Sequence, residues 1–167
     1  TYAVAGSPTA TASGDFDGDA RADLVAASYA AGNLSLLLNT GGARFASGGT
    51  IPLPARPDFV TSADLNADSR ADLVAVSYDT NSVISLLGNG DGTFQPPRSY
   101  AAGVGPRAVT VADFNGDDRL DLAVAKSFDS TLTILRGNSD GSFQAPLNTP
   151  IAFTPVDVVA ADFNNDG

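Results

Sequence analysis

Acidic and amide side chains crowd into "DFNGDDRLD" (Asp113 to Asp121) at its first, third, fifth and ninth positions, and the string returns as "DFDGDARAD", "DLNADSRAD" and a shortened "DFNNDG". Hard oxygen donors at alternate positions are what a divalent cation of calcium's size takes up, six to eight at a time, with a backbone carbonyl completing the set. Asp15, Asp17, Asp19 and Asp23 offer carboxylates in the first copy, with the carbonyl of Arg21 between them. Asp64, Asn66, Asp68 and Asp72 do so in the second with the carbonyl of Arg70, and Asp113, Asn115, Asp117 and Asp121 in the third with that of Arg119. The fourth keeps Asp162, Asn164 and Asp166 but stops before a ninth position, so weak binding or none is expected there. Without a cation, so many carboxylates in one turn repel and gain by protonating. A solvated Asx-rich turn explains one such loop but not four in register, and magnesium is disfavoured because it holds its own water.

The loop is not an EF-hand. An EF-hand places an acid at position twelve and then enters a helix. Here position twelve is Ala26, Ala75 and Val124, and the flanks alternate as strands do.

The first Asp of each loop falls at 15, 64, 113 and 162, a constant step of 49 residues that Pro8, Pro57, Pro106 and Pro155 share. The windows are therefore 1–49, 50–98 and 99–147, with 148–167 opening a fourth repeat through its first strand and truncated loop. Within the third, Ala108–Phe114, Leu120–Lys126 and Thr131–Gly137 alternate with period two, and "FQAPLNTP" reads as a proline-marked edge strand. No segment keeps a 3.6-residue apolar period, so helix is not expected. Four strands in each repeat of this length predict an all-β chain of propeller-type blades, three complete plus the start of a fourth; a β-solenoid or stacked sandwich is the alternative.

Composition removes several functions. All 19 acids are Asp and the formal net charge is -10, with nine cations and no basic stripe, which argues against nucleic acid. No apolar run reaches the length of a membrane span. His and Cys are absent, which removes the usual general base, the Ser-His triad and thiolate sites. The chain begins with Thr and contains no Met, as a processed or partial chain would. Arg21, Arg70 and Arg119 recur with the period and are expected to brace a blade against its neighbour. Asp91 and Asp140 are read as holding turns.

The strings "DFNGDDRLDLAVA", "GNSDGSFQAP" and "LLGNGDGTFQPP" resemble the VCBS/FG-GAP-like repeats, which include the calcium-binding blades of the integrin α-subunit propeller and many secreted bacterial proteins. The resemblance covers the chain and implies Ca²⁺ in the loop between the first two strands of each blade. It departs at the sixth loop position, where the common Gly is replaced by Ala20, Ser69 and Asp118. A non-catalytic, extracellular adhesion, ligand-binding or assembly module is implied, secreted or at the cell surface of a bacterium, with a protein or carbohydrate partner. The alternatives are a lectin-like or accessory domain of a secreted polysaccharide-active enzyme, and a subunit of a strand-exchanged filament. Three repeats fall short of a closed ring of four to eight blades. A fragment, a ring shared among several chains, and a homo-oligomer or filament built through the fourth repeat are all open.

Overall fold

The computed structural model describes residues 2–128 and 130–163. Twelve strands form three four-stranded antiparallel sheets, each a simple meander. Blade 1 holds β1 (Pro8–Gly14), β2 (Asp23–Ser28), β3 (Asn33–Gly41) and β4 (Arg44–Pro52). Blade 2 holds β5 (Phe59–Ala63), β6 (Asp72–Ser77), β7 (Ser82–Leu86) and β8 (Arg98–Ala101). Blade 3 holds β9 (Pro106–Ala112), β10 (Asp121–Lys126), β11 (Thr131–Leu135) and β12 (Leu147–Pro150). No helix occurs among the described residues. The fold is all-β, as the alternation predicts. Each outermost strand overruns the 49-residue window that its blade began in, so β4 crosses from one window to the next.

The blades stack face to face, and period-two alternation decides which seam each residue enters. In β6, Leu73 and Ala75 join Val25, Ala27, Leu34 and Leu36 of blade 1 in one core. Val74 and Val76, their neighbours in sequence, join Val109, Leu122, Val124 and Leu135 of blade 3 in the other. That is why β6 is buried along its whole length. The first strands run side by side in register: Ser62 Oγ donates to the Ser13 carbonyl at 2.6 Å, and Thr9 Oγ1 to that of Pro57 at 3.4 Å. Loops that follow equivalent strands therefore emerge at one end of the stack. At the opposite end the guanidinium of Arg56 lies over the Tyr29 ring and that of Arg107 over Tyr78, 5.5 and 4.5 Å from the centroids.

The opening run of the fourth repeat forms no strand among the described residues. Residues 151–163 are irregular, with Phe153, Val156, Val159 and Phe163 all more than three-quarters exposed. Every first strand in blades 1 to 3 is paired to a second strand. Among the described residues this run joins none of the three sheets, and a strand forms only where a neighbour takes up its backbone groups.

Candidate metal centres

The three acidic loops connect β1 to β2, β5 to β6 and β9 to β10. Each turns on left-handed residues at its fourth and sixth positions. Gly18 and Ala20 have φ of 78° and 63°, Ala67 and Ser69 58° and 66°, and Gly116 and Asp118 74° and 63°. A side chain at such an angle is strained by roughly 1–2 kcal/mol. The loops hold this shape because the first Asp collects the N–H groups that the turn leaves unpaired. Asp15 accepts from Gly18, Asp19 and Ala20 at 2.8–3.1 Å. Asp113 accepts from Asn115, Gly116, Asp117 and Asp118 at 2.8–3.3 Å. Asp64 accepts from Asp68 and Ser69 at 3.1 and 2.7 Å.

In loop 1 the carboxylates of Asp15, Asp17 and Asp19 converge, each offering an oxygen within 4.8 Å of the others. Oxygens on opposite sides of one Ca²⁺ lie about 4.6–5.2 Å apart, because each bond is about 2.3–2.6 Å long, so this set fits that cation. Desolvation, followed by the facing carboxylates of Asp23, Asp19 and Asp15, pushes the Asp17 carboxyl above its ordinary value. In loop 2, Asn66 donates Nδ2–H to Asp68 at 3.2 Å, and a half-turn of the amide would present its oxygen there instead. In loop 3 the corresponding Asn115 donates Nδ2–H to Asp121 at 3.1 Å.

The ninth-position residues lie beneath this rim, where Asp23 faces Asp17 and Asp121 accepts from Asn115. Asp23, Asp72 and Asp121 are fully buried. Asp23 accepts the N–H of Phe16 at 2.9 Å on one oxygen and that of Asn39 at 2.7 Å on the other. Asp72 does the same for Leu65 and Gly88, at 2.8 and 2.7 Å. Asp121 does it for Phe114 and Gly137, at 3.3 and 2.8 Å. Each carboxylate thus fastens the start of its loop to the far end of the blade's third strand. Gly88 is required there, since a Cβ would lie 2.3 Å from the Ala71 carbonyl oxygen. Burial raises the Asp72 carboxyl, opposed by the N–H groups of Gly88 and Leu65 and reinforced by Asp68 and Asp64.

Among the described residues, the ion pairs of Arg21, Arg70 and Arg119 are made within their own loops and not to a neighbouring blade. Each turns back onto the fifth-position Asp of its own loop, Arg21 pairing with Asp19, Arg70 with Asp68 at 3.7 Å and Arg119 with Asp117 at 3.6 Å. A guanidinium two residues from a carboxylate reaches it at less entropic cost than a partner in another sheet. Asp162 is exposed, and Asn164 and Asp166 lie outside the described residues. Asp91 and Asp140 hold turns, each accepting from the N–H and hydroxyl two residues on, Thr93 and Ser142.

One contact escaped the reading of the sequence. Gly92, in the Gly-rich turn of blade 2, donates to the Phe16 carbonyl in loop 1 at 2.7 Å. Gly141 of blade 3 likewise sits against Asn66 in loop 2. Each turn therefore rests on the acidic loop of the preceding blade. The signal was the pair of glycines around Asp91.

A model of the FG-GAP-like repeat matches residues 15–75, 64–124 and 113–167. Solved structures share the fold. A protein from Lactobacillus plantarum superposes with a TM-score of 0.63 at 15% identity, over 89% of this chain and 43% of its own. An Agrocybe aegerita lectin that recognises non-reducing terminal N-acetylglucosamine gives 0.55 at 22% identity, over 83% and 37%. The Photorhabdus luminescens Tc holotoxin pore gives 0.51 at 23% identity, over 85% and 7%. The chain spans less than half the length of each of these proteins. No curated protein matches it by sequence.

Proposed function

This chain belongs to the FG-GAP-like repeat family, and on that premise we propose that it is a non-catalytic binding or assembly module whose blades are locked by Ca²⁺. The observation that carries the reading is the convergence of Asp15, Asp17 and Asp19 at the end of the stack where the other two acidic loops also emerge. Asp15, Asp17 and Asp19 would hold the ion in blade 1, Asp64, Asn66 and Asp68 in blade 2, and Asp113, Asn115 and Asp117 in blade 3, with the carbonyls of Arg21, Arg70 and Arg119. Asp23, Asp72 and Asp121 hold each loop to its blade and keep a free lone pair for the ion. The ion would add to the rim the positive charge that one arginine in each loop supplies only in part. Loop sites of this kind bind at micromolar to millimolar levels, which suits the calcium-rich exterior of a cell, and a secreted or cell-surface protein or carbohydrate partner follows from that setting.

The test is thermal unfolding with saturating calcium and with EGTA. At a hundredfold excess over the dissociation constant, one site stabilises by about 2.7 kcal/mol. A clear upward shift with calcium is expected, and an identical melt in both buffers rejects the structural-calcium reading.

A further inference from the structure

Phe16 ties the acidic loop of blade 1 to the seam behind it. It sits between Asp15 and Asp17, and the buried carboxylate of Asp23 holds its N–H at 2.9 Å. Its other two attachments belong to blade 2. Its carbonyl accepts the N–H of Gly92 at 2.7 Å, and its ring, buried in the seam, lies 5.8 Å from that of Phe94. The same Gly-rich turn sets the Gly90 carbonyl oxygen against Gly18, so closely that a Cβ there would lie 2.9 Å from it.

Among the described residues the other loops lack this closure. Leu65 stands in loop 2 where Phe16 stands in loop 1, and Gly141 takes the place of Gly92. The Gly141 N–H turns instead to the Asn138 carbonyl of its own turn, at 3.1 Å. A cavity of about 380 Å³ opens beside that turn, reaching from Asn66 in loop 2 to Asp118 in loop 3. In loop 3 the equivalent Phe114 is 44% exposed, and a Cβ on Gly116 would meet nothing within 4 Å. A generally tighter seam does not explain the contrast. At the outer rim it is the other seam that is filled, by Tyr100 lying edge-on against Phe143 at 5.3 Å. Ile51, 49 positions before Tyr100, borders a groove of about 410 Å³. The closure is confined to the loop.

We propose that Phe16 and Gly92 are positioning residues for the ion of loop 1, so that calcium uptake there and docking of the blade 2 turn are one linked equilibrium. The inference rests on the calcium reading above and adds the neighbour that shapes the site. The side chains of Asp15 and Asp17 are carried by the two peptide units that meet at Phe16. Holding its N–H and its carbonyl fixes both peptide planes, and with them the directions from which those carboxylates approach. Donors held in place before the ion arrives lose less conformational freedom on binding. By reciprocity, an ion that favours this shape tightens the Gly92 contact by the same factor. Loop 1 is thereby coupled to the following blade, and loop 3 is not.

Alanine at the fourth loop position separates this coupling from backbone strain. Gly18 and Gly116 have nearly the same φ, 78° and 74°, and loop 2 already carries Ala67 there at 58°. Gly18→Ala and Gly116→Ala therefore bear like strain, but only the first drives a methyl group into the Gly90 carbonyl and lifts the turn. Calcium titration resolved site by site through amide NMR should show loop 1 of Gly18→Ala weakened about tenfold or more, the usual cost of losing a group that orients metal ligands. Loop 3 of Gly116→Ala, which meets the strain alone, should lose several-fold less. In the unaltered chain, calcium should slow hydrogen exchange at the Gly92 amide more than at Gly141. Equal losses in the two variants, or a Gly92 amide indifferent to calcium while loop 1 fills, overturn the coupling and spare the calcium reading. Calcium binding at no loop rejects that reading, and the coupling with it.

Discussion

Loops 1 and 3 share a backbone and a formal charge but place that charge differently, loop 3 having Asp118 at its sixth position and Asn115 at its third. Both pass through left-handed residues at the same two positions, and both gather N–H groups on their first Asp. Both end on a buried Asp that bonds two strands' ends together. The third position separates them. Asp17 is pushed above its ordinary value, by desolvation first and by the facing carboxylates of Asp23, Asp19 and Asp15 after it. In loop 3 that position is Asn115, and there the first Asp goes the other way. Desolvation alone would raise Asp113, but the N–H groups of Asp118, Asn115, Gly116 and Asp117 outweigh it and hold the carboxyl below its ordinary value. The hydrogen-bonded frame is common to both loops, and the third side chain decides how far each depends on added positive charge.

Breaking the shared frame should have the largest effect. Asp23→Ala or Asp121→Ala leaves two backbone N–H groups without their buried acceptor, each costing about 1–3 kcal/mol. Urea denaturation should show a loss of roughly 3 kcal/mol for either variant. If one loop tolerates the change with a loss under about 1 kcal/mol, the frame is not shared.

Exchanging the third side chains sharpens the contrast. In calcium-free buffer Asp17→Asn should raise the melting temperature and Asn115→Asp should lower it, because each alters one like-charge repulsion. Calcium affinity, read by titration calorimetry, should move the opposite way, by about tenfold for each charge. Equal affinities across both exchanges would show that charge at this position does not tune the site.

Loop 2 offers a smaller test of the backbone. Ala67 sits at the fourth position with φ 58°, where loops 1 and 3 have Gly18 and Gly116. Ala67→Gly relieves the left-handed strain and gives back part of that gain in chain entropy, a net stabilisation of about 0.5–1 kcal/mol. A neutral or destabilising result would mean that the loop imposes no strain there.

The smallest effect is on pH dependence, since Asp17 is only half-buried and Asp113 is exposed. The folded state raises Asp17, so that group opposes folding at neutral pH, and the penalty is relieved as the pH falls through its raised value. The folded state lowers Asp113, so its contribution is complete above the ordinary carboxylate value, about pH 4, and is lost as the pH falls through the lower folded value. In calcium-free protein the difference between wild type and Asp17→Asn should therefore shrink before that between wild type and Asp113→Asn. Melting curves from neutral pH down to about pH 3 would show the order, and the reverse order would refute the assignment.

Much of this was legible in the chain. The strands announce themselves because alternation such as Leu120, Leu122 and Val124 is a local property, and β10 begins within one residue of the run that predicts it. The loop donors are legible because alternate oxygen-bearing residues lie next to one another in sequence. The partners of Asp23 were not, since one of its two N–H donors is Asn39, 16 residues away on another strand. The direction of Arg21, Arg70 and Arg119 was misread because a recurring cation says nothing about which carboxylate it will meet. The unformed strand at 151–163 was misread for a related reason. Its pattern is right, but a strand needs a neighbour that the pattern does not contain.

The repeat, the four strands of each blade and the oxygen donors of each loop are written in the chain, because they depend on spacings within a few residues. Which Asp is locked inside, which Gly-rich turn rests on which loop and which seam stays open emerge from the stacking of the blades. Those outcomes hang on residues brought together from different sheets. Tyr100 fills one seam and Ile51 leaves the other open, a difference that acquires meaning only once the blades are stacked.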